Sequence, residues 1–334
     1  MRTSPVSLFD VADWQNLCSA LARASRGKRS RPEVQRFFAR WPEELQQLQS
    51  DILESRLGFK PLQGFWIRDP KPRWIQAPVF RERVLHHALV AQTEARMEKS
   101  LIADTFACRK EKGCLRAVKR AQVFLHRFPW YVQTDVAQYY RSISHPVMQR
   151  QLARLFRNRG LLQLWQQIMA AYAPEPGKGL PIGALSSQHL ANLYLSPLDR
   201  FLTEHPQVGG MVRYMDDLLW FVNGPEAARQ TFHEAKAFTE QALGLRLHRE
   251  RWQRSRFGVS WLGYRVFSNR LQLSRRRKRK FGKARRCYED AFRAGHISEA
   301  RLQQLFGAVL ATTVHARETA WRRGNLQRDP APDA

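Results

Sequence analysis

The stretch Met211–Val222 is an apolar run broken at its centre by two adjacent carboxylates, Asp216 and Asp217. Like charges side by side among hydrophobic residues are costly unless a cation neutralises them. Asp also favours tight turns, so the pair reads either as the tip of a β-hairpin or as a cation site carried on one. A third carboxylate, Asp135, closes the segment Trp130–Asp135, which is expected to be a strand, and Tyr139-Tyr140 follow it.

Elements that could position these groups follow from the pattern of the chain. Apolar spacing predicts helices over 6–24 and 33–57, separated by the basic turn 25–32. Phe65–Ile67 and Arg73–Ile75 flank a Pro-rich turn and read as a hairpin. A helix is expected over 79–99, with Val84, Leu85, Leu89 and Val90 inward, and helical sequence fills 145–173. Pro174–Pro181 is a Pro/Gly loop, after which a helix runs to about 204. The hairpin over 211–222 is followed by a helix over 226–243 and strands near 245–248 and 259–267. The composition then changes: nine of the twelve residues Arg275–Arg286 are Lys or Arg. Helices are expected beyond them, with a frayed end over the last dozen residues.

The 334 residues carry 56 Lys+Arg against 29 Asp+Glu, a formal charge of +27. A hydrophobic share of 43%, with 10 Trp and 19 Phe, excludes a disordered basic tail, which could not offset its ordering entropy. The chain is therefore expected to fold around a polyanion-binding surface, since each phosphate neutralised releases counterions. No run of 18 apolar residues is present, so no membrane span is expected. Asp10 and Asp13 interrupt any N-terminal apolar stretch, and Cys18, Cys108, Cys114 and Cys287 show no CxxC spacing. A cytoplasmic protein without a zinc site or disulfide framework is the expectation.

The string Tyr214-Met215-Asp216-Asp217 (YMDD) between hydrophobic strands resembles the signature of reverse transcriptases. Asp135 with Tyr140 five residues on resembles the polymerase motif in which a strand-end Asp precedes an aromatic. The resemblance implies that Asp135, Asp216 and Asp217, with the backbone carbonyl of Val136, hold two Mg²⁺ ions (Mn²⁺ being the alternative) about 3.5–4 Å apart for phosphoryl transfer. Asp217 is the weaker member, as ligand or as electrostatic support. Tyr140 stands where the family keeps a ring that collides with a ribose 2′-hydroxyl. Asp69–Ile75 with Phe80–Leu89 resembles the first fingers block, in which Arg73 would reach the incoming dNTP. Phe106–Gly113 resembles the second, with Arg109 as a further triphosphate contact. His86 and His87 are adjacent and point apart on a helix, so packing rather than metal binding is expected. Trp261, Leu262 and Gly263 resemble the primer grip. Arg275, Arg276, Arg277, Lys278, Arg279 and Lys280 would hold the nucleic-acid backbone.

The implied fold is α+β, a right-hand polymerase. Residues 1–125 would form an N-terminal extension and fingers, and 126–268 an antiparallel-sheet palm with fingers-associated helices about 145–180. Residues 269–334 would form a basic helical thumb. The stretch after Gly263 suits such a thumb and is short for an added nuclease domain.

Gly179–Gln188 narrows the resemblance. Where intron and retron enzymes carry Gln-Gly-x-x-x-Ser-Pro, this chain has Ile182-Gly183-x-x-x-Ser187-Gln188, similar to reverse transcriptases of diversity-generating retroelements, within the group II intron-like bacterial superfamily. Gly183 would permit close backbone approach, and Ser187 and Gln188 would hydrogen-bond a base or the strand. Ile182 removes a positioning hydrogen bond, so looser pairing is expected. The resemblance implies copying of a template-repeat RNA into cDNA with misincorporation opposite adenines, together with a pentameric basic accessory protein. The alternatives are another bacterial reverse transcriptase of retron, intron or phage-defence type, and a non-catalytic RNA-binding maturase. One departure stands out: His248-Arg249-Glu250-Arg251-Trp252 replaces the His-Pro-Lys-Lys-Thr of relatives. The Lys held to protonate the leaving pyrophosphate is thus missing, and Arg251 supplies charge but donates a proton poorly.

Overall fold

The computed structural model describes residues 3–68 and 72–327. The chain begins with α1 (Leu8–Ala12) and α2 (Trp14–Ser25), where one helix over 6–24 was expected. Asp13 interrupts it: its backbone is non-helical (ψ 134°) and its carboxylate accepts from Asn16 N–H at 2.8 Å, capping α2. The helix expected over 33–57 likewise divides, into α3 (Pro32–Phe38) and α4 (Trp41–Leu53), the latter opening on Pro42, which suits a first turn and not a helix interior.

Strands β1 (Gln63–Arg68) and β2 (Pro72–Ala77) form the expected hairpin, with Trp66 opposite Trp74. Asp69, Pro70 and Lys71 of the first fingers block lie outside the described residues. The Trp74 ring lies over Gly64, whose missing Cβ makes the room. Helix α5 (Phe80–Glu98) buries Val84, Leu85, Leu89 and Val90 as expected. Then come α6 (Cys114–Arg127), β3 (Trp130–Asp135), α7 (Tyr139–Ser142), α8 (His145–Ala153) and α9 (Arg159–Ala171). Beyond the Pro/Gly loop, α10 (Leu185–Tyr194) and α11 (Ser196–Glu204) lead to β4 (Gly210–Tyr214), β5 (Asp217–Val222) and α12 (Pro225–Leu243).

The strand expected near 245–248 is a single bridge, Leu247 to Val136; the strand lies later, as β6 (Arg251–Arg254), paired with β3. The strand expected over 259–267 is a hairpin, β7 (Val259–Trp261) and β8 (Tyr264–Val266), turned by Leu262 (φ 46°) and Gly263 (φ 83°), the double left-handed turn that matches strand twist. β9 (Leu271–Leu273) completes its sheet, and α13 (Arg275–Arg293), α14 (Glu299–Ala311) and α15 (Thr319–Gln327) follow. The frayed end falls partly on residues 328–334, outside the described ones.

The central sheet is antiparallel in the order β4-β5-β3-β6 and is covered on both faces, which is why β5 is apolar from Leu218 onward. Along β5, Leu218, Trp220 and Val222 belong to the larger core, with Trp220 donating to Thr231 of α12. Leu219 and Phe221 belong to a second core, with Phe124 of α6 and the β7–β9 sheet. Among the described residues no helix is long and apolar enough to cross a membrane.

Candidate active site

The carboxylate pair sits at the β4–β5 turn, where Tyr214 pairs with Asp217 and only Met215 and Asp216 lie between. The same register places Asp135, the last residue of β3, directly opposite Asp217. Directly paired residues project from one face of a sheet with Cβ atoms about 5 Å apart. Three acidic groups therefore lie at one end of the sheet. Burial raises the Asp216 carboxyl above its ordinary value, with Asp135 adding to the shift and Arg73 and Arg213 opposing it. Burial also pushes Asp217 up to about 7, reinforced by Asp216 and Asp135 and opposed by Arg73. Arg73 is exposed on β2, and its charge favours the ionised form of both carboxyls.

A cleft of about 580 Å³ opens beside these groups, lined by Gln133, Asp135, Asp217, His248, Arg249 and Arg251 among others. His248 N–H donates to the Asp135 carbonyl at 2.8 Å, and Thr134 donates its hydroxyl to the His248 carbonyl at 2.9 Å. The segment that departs from the pattern of relatives is thereby fixed against the carboxylate strand, with Arg251 at the cleft. Val136 bridges Leu247 on the same side. On the other side, Tyr140 donates its hydroxyl to Met215 Sδ at 3.6 Å. Burial holds that hydroxyl above its ordinary value, so it stays protonated and neutral.

The turn itself is strained, since Met215 is left-handed (φ 58°) without being glycine. What holds it carries no signal in the sequence. Arg213 is fully buried and forks onto fully buried Asp199, with Nε–Oδ1 at 2.6 Å and Nη2–Oδ2 at 2.7 Å. Its Nη1 donates to the Met215 carbonyl at 2.8 Å and its Nη2 to the Asn192 carbonyl at 2.9 Å. Thr105 donates to Asp199, and Asn192 to the Ala107 carbonyl, tying the 105–107 segment into the same network.

Residues 68–266 match the family model described as reverse transcriptase (RNA-dependent DNA polymerase). The chain belongs to this family. Two curated proteins are similar to this reverse transcriptase at low identity. One is the protein YkfC of Escherichia coli, 22% identical over 72% of this chain and 75% of its own length. The other is a putative COX1/OXI3 intron 1 protein of Saccharomyces cerevisiae, 22% identical over 48% of this chain. The match spans only 20% of that yeast protein. Among solved structures, apo telomerase from Candida tropicalis superposes with a TM-score of 0.51 at 10% identity, covering 65% of this chain and 49% of its own. The fold is that of a right-hand polymerase.

Several residues expected to face substrate make contacts within the fold. Arg109, only 7% exposed, is held by Glu98 at 2.6 Å and by the carbonyls of Ile102 and Thr105, so it props the second fingers block rather than reaching into the cleft. Gly183 was expected to permit close backbone approach, and what approaches is strand β2: at φ 131°, an added Cβ would lie 2.7 Å from the Gln76 carbonyl oxygen and 2.8 Å from Ile75. Ile182 is half-buried, and its carbonyl accepts from Gln76 N–H at 2.7 Å. Ser187 is buried, while Gln188 is half-buried. Nothing in the residue pattern singles out Ser186, whose hydroxyl lies 2.7 Å from Nδ1 of His86, a histidine buried in the core.

Trp261 is buried below the Leu262-Gly263 turn. Among the basic residues, Arg277 stacks on Tyr264 at 4.0 Å and Lys278 pairs with Glu318 at 2.5 Å, so both are engaged by the protein. Arg275, Arg276, Arg279 and Lys280 are exposed.

Gly183→Ala is expected to push β2 off the Ile182 loop and carry Arg73 with it. The KM for dNTP should rise several-fold with little change in kcat, and Tm should fall because alanine is strained at this φ, in steady-state primer extension paired with thermal melts.

Proposed function

We propose that this reverse transcriptase is an RNA-directed DNA polymerase of the diversity-generating retroelement type, copying a template-repeat RNA into cDNA with errors directed to adenines. The observation that carries the polymerase reading is the placement of Asp135, Asp216 and Asp217 at one sheet end, with the charge of Arg73 acting on Asp216 and Asp217. Among the described residues no three or more carboxylate, imidazole or thiol groups are placed to hold a metal ion by themselves, so Asp135, Asp216 and Asp217 would need substrate oxygens to complete a shell. That donor set suits Mg²⁺, which takes one or two carboxylates and completes its shell with water and substrate phosphates. Asp135, Asp216 and Asp217 would hold the ions, with the Val136 carbonyl as a further oxygen donor. Bound there, the metals would activate the primer 3′-hydroxyl and offset charge on the leaving pyrophosphate.

The chain's own residues supply the rest. Arg73 meets the triphosphate. Tyr140, neutral and packed on Met215, bars a ribose 2′-hydroxyl. Gln188, half-buried at the start of α10, faces the nascent pair. We assign residues 1–125 to fingers with their N-terminal extension, 126–268 to the palm and 269–334 to the thumb. The retroelement reading rests on Ile182-Gly183 and Ser187-Gln188, and a pentameric basic accessory protein belongs to it.

Primer extension on an RNA template with dNTPs and Mg²⁺, followed by sequencing of the cDNA, tests both levels. Synthesis with errors concentrated opposite template adenine, several-fold above other positions, is the expected result. Uniform errors would favour an intron, retron or phage-defence polymerase. Absence of synthesis would favour a non-catalytic RNA-binding maturase.

A further inference from the structure

Away from the carboxylates, helix α13 turns a second basic surface to α15. A pocket of about 610 Å³ lies between them, lined by Lys278, Arg279, Lys283 and Arg286 with Trp321 and Asn325. Its size is that of a site for one small ligand. Four cations converge there, and the anion seen beside them, Glu318, is taken by Lys278 at 2.5 Å. Trp321 gives the pocket an aromatic wall, held edge-to-face on Phe281 at 5.3 Å, with Lys278 Nζ 5.3 Å from its ring centre. The Asn325 amide donates to the Trp321 carbonyl at 3.1 Å, which braces that wall.

The floor is Gly282, in the middle of a 19-residue helix. Glycine is the least favourable residue in a helix interior after proline. Packing does not require it: an added Cβ would meet only Arg286 Nη1, at 3.9 Å, and the backbone is not left-handed. Without a side chain at Gly282 the space above the helix stays open. The row 278, 282, 286 is also turned by about 100° from the row 277, 281, 285, of which Arg277 packs on Tyr264 and Phe281 is buried. The pocket is therefore distinct from the helix face that meets the β7–β8 turn.

We propose that this pocket holds one unpaired nucleotide of a structured RNA, its base against Trp321 and its flanking phosphates on Arg279, Lys283 and Arg286. A planar ring between an aromatic wall and several guanidinium and ammonium groups fits a base with its phosphates. Single-stranded nucleotides are recognised by this combination, and a paired base cannot enter. That the ligand is RNA rests on the polymerase reading above; the pocket's chemistry alone specifies a ring with phosphates.

The test is equilibrium binding of a fluorescent RNA hairpin carrying one unpaired adenosine in its stem, against the same stem fully paired, without dNTP or divalent ion. Wild-type full-length chain is expected to prefer the bulged hairpin by on the order of tenfold. Gly282→Leu fills the floor while favouring the helix, so its Tm should hold or rise and its preference should vanish. Arg286→Gln should reduce the preference several-fold. Equal binding of both hairpins by wild type, or a preference that survives Gly282→Leu, would overturn the proposal. So would saturable binding of AMP, lost in Gly282→Leu, without any preference between hairpins, since that marks a free mononucleotide site. Primer extension by the same preparation on an unstructured template reports separately on the polymerase reading.

Discussion

Asp217→Asn is expected to raise the melting temperature of the metal-free protein above pH 7 while lowering nucleotide incorporation by roughly a thousandfold or more, the rate equivalent of several kcal/mol of metal-assisted stabilisation. Both effects have one origin. Burial, with Asp216 and Asp135 behind it, lifts this carboxyl from 3.8 to about 7 in the folded chain. Between those values the folded chain keeps a proton that the unfolded chain has released. Stability from this group therefore falls as pH rises from about 4 to 7 and stays low above. Asp216, shifted in the same direction, adds to the slope. The amide removes the charge and flattens the profile. Mg²⁺ should raise the Tm of wild type at pH 8 and do much less for the variant. Thermal melts at pH 5 and 8, with and without Mg²⁺, check this, beside single-turnover incorporation. A variant that melts like wild type at every pH would show that the acidic cluster is not a strained site awaiting cations.

The second large effect belongs to Arg213. Arg213→Met should destabilise the protein by about 3–5 kcal/mol, because it leaves Asp199 charged, fully buried and unpaired. Adding Asp199→Leu should recover most of that loss, since an apolar pair can replace a buried ion pair nearly without cost. Activity is expected to part from stability here. The rescued double variant still lacks the donor to the Met215 carbonyl, so the left-handed turn carrying Asp216 loses its clamp. Its kcat should remain depressed by at least tenfold with dNTP KM little changed. Urea denaturation combined with steady-state kinetics separates the two readouts. Full recovery of kcat with stability would make the pair a packing element only.

The contrast between Arg213 and the aspartates shows what could be seen in the sequence. Asp216 and Asp217 stand out because apolar strands flank them, and strand alternation carried Asp135 to the end of β3. The helix breaks at Asp13 and Pro42 rest on local capping and proline chemistry, yet the apolar periodicity runs through both and masks them. The β6 strand was misplaced because its four residues, Arg251–Arg254, are exposed and show no alternation. Arg213 reads as one more cation in a chain of 56, and only the return of α11 beneath β4 delivers Asp199 to it. Gly183 was legible as a site of close approach, but what approaches is strand β2, a contact made across more than a hundred residues. The inward contacts of Arg109 and the burial of Ser187 were not legible, because motif position says nothing of which way a side chain turns.

The β7–β8 turn has a mechanical consequence. Ser274 N–H donates to the Gly263 carbonyl at 3.1 Å, and Arg277 fills the space left by the missing Cβ of Gly263 while stacking on Tyr264. Helix α13 is thus riveted by its first turn to the hairpin, with no slack linker between them. A lever joined this way has its pivot upstream of β7. Opening the basic helices would lift the hairpin in the same stroke, so a duplex gripped by both would be released whole rather than eased along by one part while the other holds.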